Sequence, residues 1–418
     1  MTWKTTNTAK GDNKLYSDAK GVVPSLDLRF AEGKNLNDYM TGQNLITFSR
    51  PVGANQSPGT YVDENGIIQL SSADTPRFDH DPTTGESLGL LIEEARTNLL
   101  TNSEEFDTVW QTANTTVTPN TTASPDDNTT ADKVVAKAQN GPHSIYLNIV
   151  TSAVPYTLSV WAKAAGYNYI GIEETTNGNK VTSFDLTNGT IGVVNAAHTA
   201  SIAAFPNGWY RCSVTFTGST NLAAVAYRVL DTVDRDVASW LGDGISGIYV
   251  WGAQLELGSF PTSYIPTTGT ALTRSADVAE ITGTNFSSWY NQSEGTVFVD
   301  RTYNLNFSGQ SYYFSDSGLF GNRFRLELIS HIGTNTDASF FNLPALGNKS
   351  ALAVKTNDVA VSAGGSSVVS DTTFTLALMD RLFIGKHPTV TSYLNGTISR
   401  LTYFPDRLED SVLQAITQ

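Results

Sequence analysis

Three side-by-side carboxylate pairs, Glu93-Glu94, Glu104-Glu105 and Glu173-Glu174, are the first residues whose type could do chemistry. Cleaving a glycosidic bond takes two carboxyl groups about 5–10 Å apart across a cleft. Neighbours on a strand point to opposite faces, so adjacency is the wrong spacing, and solvated acidic positions are the simpler expectation. A second acidic group lies in SPDDNTTADK, where Asp126, Asp127, Asn128 and Asp132 share one loop. Hard cations take several oxygen ligands, which makes Asp126, Asp127 and Asp132 candidates for a structural calcium. Their spacing is not that of an EF-hand, and a polar turn accounts for them equally well. Aromatic rings supply a third chemistry, because a flat ring covers the apolar face of a sugar while nearby polar groups fix its hydroxyls. Trp110, Trp161, Tyr167, Tyr169, Trp209, Trp240 and Trp251 qualify by type. Trp161 and Trp251 stand inside apolar strand patterns and are expected in the core. Tyr167 and Tyr169, beside the bend in AGYNYIG, and Trp209 and Trp240 are the carbohydrate-contact candidates, with packing or a subunit interface as the competing role.

Other chemistries lack their signatures. There is no G-x-S-x-G, H-E-x-x-H, phosphate-cradling Gly loop or C-x-x-C. His80, His143, His198, His331 and His387 are scattered without metal-ligand spacing and are expected on surfaces or strands. In WYRCSVTFT, Tyr210, Cys212, Val214 and Phe216 share a face, which makes Cys212 a small core residue. As the single cysteine it excludes an intramolecular disulfide.

The elements that must position these residues are strands. Only 16% of the 418 residues are charged, below the roughly 25% of an average globular protein, so Thr, Ser, Asn and Gly carry solubility. Recurrent apolar runs exclude disorder, and the residue preferences favour pleated surfaces. The fold class is all-β. Net charge −14 argues against nucleic acid and anionic lipid as partners. No run approaches the roughly 20 apolar residues of a membrane helix, and MTWKTTNTAKGDNK lacks the apolar core of a secretory signal.

Along the chain, residues 1–24 read as a polar arm ordered only against a neighbour. In SLDLRF, Leu26, Leu28 and Phe30 alternate with Asp27 and Arg29, the pattern of a half-buried strand. Asn65-Gly66 in YVDENGIIQL predicts a hairpin, and Pro82 to Gly85 a second turn, so residues 25–98 form a hairpin region. Short strands at 99–268 suit a β-sandwich, 269–283 an extended linker, and 284–418 a further set of strands. Leu408, Val412, Leu413 and Ile416 are spaced for one short C-terminal helix.

The segments TPRFDHDPTTGESLGLLIEEARTNLL and LDLRFAEGKNL resemble stretches of bacteriophage fibre and virion proteins. NGWYRCSVTFTG and IYVWGAQLELGSFPTSYIPTTGTALTRSADV resemble the close of the jelly-roll module of phage fibres, itself similar to carbohydrate-binding modules. LFIGKHPTVTSYLNGTISRLTYFPDRLEDSVLQAIT resembles a concanavalin/laminin-G-like sandwich. The resemblance implies a non-enzymatic structural protein of the virion surface, assembled in the host cytoplasm: a tail or head fibre, spike or capsid decoration. It implies other virion proteins and host-surface glycans as partners, a homo-oligomer with a trimer favoured, and no cofactor beyond the possible calcium. Two alternatives stand beside it, a free carbohydrate-binding protein of bacterial or prophage origin and a polysaccharide depolymerase.

Overall fold

The computed structural model describes residues 12–175, 178–220, 222–234, 238–303, 310–315, 323–327, 348–373, 376, 378–386 and 392–418. The chain divides into two compact units, a first of Met1–Ser49, Ser87–Glu94 and Asp277–Gln418, and a second of Arg50–Glu86 and Ala95–Ala276. Both are built almost wholly of antiparallel strands, as the composition predicts.

The second unit is a sandwich of two six-stranded sheets. The front sheet runs Thr190–Ile191, Lys180–Asp185, Tyr169–Glu174, Leu222–Leu230, Ser144–Val150, Gln111–Ala113. The back sheet runs Thr199–Phe205, Trp209–Thr217, Pro155–Ala165, Gly247–Leu257, Ala131–Ala136, Thr115–Thr122. Period-two alternation turns Ile145, Ile170, Ile172, Phe184, Val225 and Val229 inward from the front, to meet Leu158, Val160, Cys212, Val214, Ile248 and Leu255 from the back. Cys212 is fully buried, as expected, and burial pushes its thiol pKa up.

Alternation breaks in the strand Gly247–Leu257. Trp161 pairs with Trp251 while Ser159 pairs with Gln254, so that strand holds an extra residue. Gly252, at φ +66°, makes this bulge; a Cβ there would lie 2.8 Å from the Trp161 ring. Val250 and Ala253 therefore both reach the sandwich core. Trp251 joins Trp161, Trp209, Tyr264, Ile68 and Ala131 in a second cluster.

That second cluster lies on the outer face of the back sheet, under the predicted hairpin. Thr60–Val62 pairs with Ile68–Leu70 around Asn65-Gly66. The Thr60 hydroxyl donates to the Tyr264 carbonyl at 2.7 Å, and the Ile68 N–H to the Pro125 carbonyl at 2.9 Å. The outer face of the back sheet is thus covered around these rings, while its edge strands Thr199–Phe205 and Thr115–Thr122 stay largely exposed.

The strand Arg96–Asn98 pairs with Leu272–Arg274. Asn98, fully buried, donates to the carbonyls of Ala253 and Ile265 (both 3.0 Å) and accepts from the N–H groups of Leu100 and Leu255 (both 3.1 Å). Glu256, equally buried, accepts from Gln254 Nε2, Thr262 N–H and the Thr262 hydroxyl. These buried polar groups are paired, as burial requires.

In the first unit, one sheet runs Val369–Asp371, Asp358–Ala363, Lys349–Lys355, Glu294–Tyr303, Gly396–Phe404. Leu26–Leu28 and Ser87–Ile92 pair in line along the free edge of Gly396–Phe404. A second sheet runs Thr47–Ser49, Val278–Thr282, Arg381–Ile384, Gln310–Ser315, Arg323–Glu327. Helices Asp12–Asp18 and Asp410–Ile416 cover one face of the first sheet, with Leu15, Ala19, Leu408, Val412, Leu413 and Ile416 packed on Phe298, Ala351 and Phe404.

Four expectations change. Residues 12–24 are no free arm, because Leu15 and Ala19 are in the core of their own unit. Residues 269–283 are no linker: Leu272–Arg274 and Val278–Thr282 each pair within a sheet. The hairpin region 25–98 contributes to both units. SLDLRF is not half-buried, since Asp27 and Arg29 are as hidden as Leu26 and Leu28.

Asp27 escapes water because its charge is matched. Its carboxylate accepts from Arg29 Nε (2.7 Å), Arg400 Nε and Nη2 (both 2.8 Å), the Tyr16 hydroxyl (2.7 Å) and the Thr402 hydroxyl (2.8 Å). Burial alone would raise its pKa; Arg400, Tyr16 and Arg29 more than offset this and hold it below the usual carboxylate range. The stabilisation is therefore present above that range and lost as pH falls below it, through the lowered pKa. Asp27→Ala leaves two arginines facing each other without their anion, and the expected cost to the first unit is about 3–5 kcal/mol, read by urea unfolding at pH 7. A change under 1 kcal/mol would mean that the cluster behaves as a surface ion pair.

Candidate functional site

The front sheet differs from the back sheet in its outer face. Alternation places Tyr169, Gly171 and Glu173 of one strand there, with Val181, Ser183 and Asp185, then Ala224, Ala226 and Arg228, then Ser144, Tyr146 and Asn148. The registers set them in rows: Ser144, Arg228, Gly171 and Ser183 in one, Tyr146, Ala226, Glu173 and Val181 in the next. Tyr146, Tyr169 and Ala224 are half-buried and Asn148 is exposed, while Glu173, Arg228 and Ser183 lie deeper.

Arg228 and Glu173 form a bidentate pair, Nε to Oε2 at 2.5 Å and Nη2 to Oε1 at 2.9 Å. Two parallel charge-assisted bonds fix both groups in plane, and they leave Nη1 outside the pair. The floor around the pair is small: Ala224, Ala226 and Gly171. A Cβ at Gly171 would lie 2.9 Å from Val181 Cγ1 and 3.3 Å from Arg228 Cβ, so Gly lets the ion pair and Val181 lie flat.

Residues 192–198 are tied back to this sheet. Ser183 exchanges backbone bonds with Gly192 and Val193, its hydroxyl accepts from Val193 N–H at 2.9 Å, and it donates to the Val233 carbonyl. The foot of the loop is pinned by Thr182, whose hydroxyl meets His198 Nδ1 at 2.9 Å and accepts from Asn195 N–H at 3.1 Å. His198 Nε2 lies 3.5 Å from Glu174, which also meets Lys180 at 3.2 Å. A hydroxyl, an imidazole and a carboxylate in a row is the order of a nucleophilic triad. Here Thr182, His198 and Glu174 are all buried, and a hydroxyl away from the surface meets no substrate.

The pair Glu173-Glu174 is thus not solvated, as adjacency had suggested. The two do point to opposite faces, one to the recess and one to the sandwich end, and each has a cationic partner. The other carboxylate on the outer face, Asp185, is spent on its turn. It accepts from the N–H groups of Thr187 and Asn188 and from the Asn188 amide. Burial pushes its pKa up, but these bonds more than offset that and hold it below the usual range, the opposite of a general acid.

The aromatic candidates divide. Trp209 is 1% exposed and its indole N–H donates to the Ala123 carbonyl at 3.1 Å. Trp240 is 6% exposed, edge-packed on His143 (4.3 Å between ring centres) and on Tyr167 (4.9 Å). Both are corrected from contact candidates to packing residues, because neither has an open ring face for a sugar. Tyr167 is half-buried beside Trp240, away from the recess rows. Tyr169 lies on the recess face. Trp161 and Trp251 are buried as expected, though behind the back sheet and not in the sandwich core. Tyr146 was missed, although Ser144, Tyr146 and Asn148 in HSIYLNIV spell a polar face. His331 and His387 lie outside the described residues.

The calcium candidates do not converge. Asp126 accepts from the Ser124 hydroxyl (2.5 Å) and from Asn128, and Asp127 occupies a left-handed turn position at φ +65°. Asp132, 1% exposed, accepts the N–H of Phe106 on one oxygen (3.0 Å) and of Asn120 on the other (2.9 Å). Among the described residues no three acidic, His or Cys side chains gather as a metal site. The loop is a hydrogen-bonded turn, which was the competing expectation.

Burial pushes the Asp132 pKa up to about 6, with Asp107 and Glu104 adding repulsion. A raised carboxyl stabilises the fold below its ordinary pKa, and that contribution is lost as pH rises through about 6. Asp132→Asn removes the titration but also mismatches one N–H. Its loss of melting temperature is expected to be larger at pH 4.5 than at pH 7.5, by differential scanning calorimetry. Equal losses at both would show an ordinary carboxyl.

The chain matches no protein-family model and no curated protein sequence. Among solved structures it is similar to the N-terminal CBM22-1–CBM22-2 tandem domain of Paenibacillus barcinonensis Xyn10C, at 10% identity and a TM-score of 0.25, over 73% of this chain and 95% of that one. A TM-score of 0.25 is too low to transfer fold or ligand.

Proposed function

We propose that this chain is a non-enzymatic glycan-binding protein of a bacteriophage virion, and that the recessed outer face of the front sheet is where it meets the glycan. The observation that carries the binding part is the partly exposed Tyr146 and Tyr169 with the exposed Asn148, on a floor of Gly and Ala that the buried Arg228–Glu173 pair holds rigid. A sugar offers an apolar ring face and fixed hydroxyls; tyrosines match the first, and a rigid donor–acceptor pair the second. The pair is neutral in sum and the chain carries −14, so neutral glycans suit the face better than polyanionic ones. The virion part is supported by the segment resemblances alone.

Two experiments test the two parts. On a glycan array the full chain is expected to bind neutral host-surface glycans. Tyr146→Ala and Tyr169→Ala should each weaken that binding about tenfold, or about 1.4 kcal/mol, with unchanged melting temperature. No array binding, or binding indifferent to both substitutions, would overturn the site. Gold-labelled antibody on purified virions is expected to decorate the particle, and protein found only free in the lysate supernatant would remove the virion role while leaving the glycan site standing.

A further inference from the structure

The first unit has a cavity of its own, of about 270 Å³. It borders the helix Asp12–Asp18, the strand Glu294–Tyr303 and the strand Gly396–Phe404. Its apolar lining is Leu15, Phe298 and Ile416, and its polar lining includes Asp300, Lys349 and Arg400. It is smaller than the roughly 300–1,000 Å³ that takes a drug-sized molecule, and suits one ring better than a chain.

The polar groups are held in place from behind. Arg400 is clamped by the buried Asp27 through two bonds of 2.8 Å, and Arg29, also on the lining, is clamped by the same carboxylate. Lys349 Nζ donates to the Gln418 carbonyl at 2.7 Å. Asp300 is a largely buried acceptor; burial pushes its pKa up, opposed chiefly by Lys349. The lining bases Lys14, Arg29, Lys349 and Arg400 face the lining acids Asp18, Glu32 and Asp300, with Asp27 as a fourth acid beneath. Charge balances, so an ion gains nothing by entering. What remains is an uncharged molecule with both donors and acceptors and one apolar side.

We propose that this cavity is a second ligand site that holds a single neutral sugar ring, with Asp300 and Arg400 meeting its hydroxyls and Phe298 its apolar face. The site stands in a different unit from the sheet recess and does not depend on it.

The test is saturation-transfer NMR on the full chain carrying both Tyr146→Ala and Tyr169→Ala, with methyl glycosides of neutral hexoses and N-acetylhexosamines as probes. Transfer to at least one glycoside is expected to persist in that variant. It should fall at least fivefold on adding Asp300→Asn, which keeps the shape of the buried acid, or Lys349→Met, which replaces a side chain at the rim. Far-UV circular dichroism and melting temperature confirm folding of each. No transfer in the double tyrosine variant would overturn the second site while leaving the sheet recess intact. Transfer unchanged by both added substitutions would overturn it too, as would displacement of the glycoside by millimolar phosphate or glycine, which would mark an ion pocket.

Discussion

A β-sheet has two faces, and each must be either covered or made of groups that water accepts; in the second unit this constraint decides where function can reside. The back sheet carries Trp161, Trp209 and Trp251 on its outer side, and those rings could not be left in water. The chain spends the hairpin around Asn65-Gly66 and the segment through Tyr264 on covering them. The front sheet carries no Trp on its outer side. Its Gly, Ala and Ser floor and paired charges are themselves largely buried, and what that face presents is Tyr146, Tyr169 and Asn148.

Low charge does not mean that charge is unimportant. Only 16% of residues are charged, yet several sit inside, and those join parts of the chain far apart in sequence. Asp27 and Arg400 are 373 positions apart and Arg228 and Glu173 are 55; the uncharged but buried Asn98 likewise reaches Ile265, 167 positions away. A buried polar group tolerates few alternatives, since a slipped register would leave it unpaired at a cost of about 1–3 kcal/mol. Apolar contacts between Val, Ile and Leu are more forgiving. In sheets rich in Thr and Ala, where side chains alone specify register weakly, this is a physical reason to bury Asn98 and Asp27 and not merely to bury more valine.

The same logic sets what the sequence discloses. Alternation reveals strands locally, so the strands through Ile145, Ile172, Cys212 and Val225 were legible, as was the C-terminal helix from Leu408, Val412, Leu413 and Ile416. Coverage is not local. Nothing in the neighbourhood of Trp209 reveals that Ile68 belongs to the cluster that buries it, and the bulge at Gly252 reverses the facing of Trp251 relative to a regular strand. Asp27 and Arg29 alternate like solvent-facing residues, and only Arg400 and Tyr16 make their burial tolerable. Glu173 and Arg228 become partners through the register that sets Gly171 opposite Arg228, which no spacing rule foretells. Tyr146 is legible in the alternation of HSIYLNIV, whereas Trp161, Trp209 and Trp251, the larger rings, are structural.

The two ligand-facing places share one consequence. Their charged groups are already paired, Arg228 with Glu173 and Arg400 with Asp27, so binding does not have to desolvate an isolated ion. It also cannot gain the large energy of neutralising one. Hydrogen bonds from such pairs to hydroxyls add about 0.5–1.5 kcal/mol each, and one or two tyrosine faces add a similar amount. A single site of this kind therefore binds weakly and releases quickly. For the proposed role on a particle, repetition would supply what one site lacks: linked copies raise the effective concentration at each further contact and multiply affinity by about 10²–10⁴ without any new contact. Under the proposed virion role, pre-paired sites of this kind would act in many copies, each contact breakable and only their sum holding.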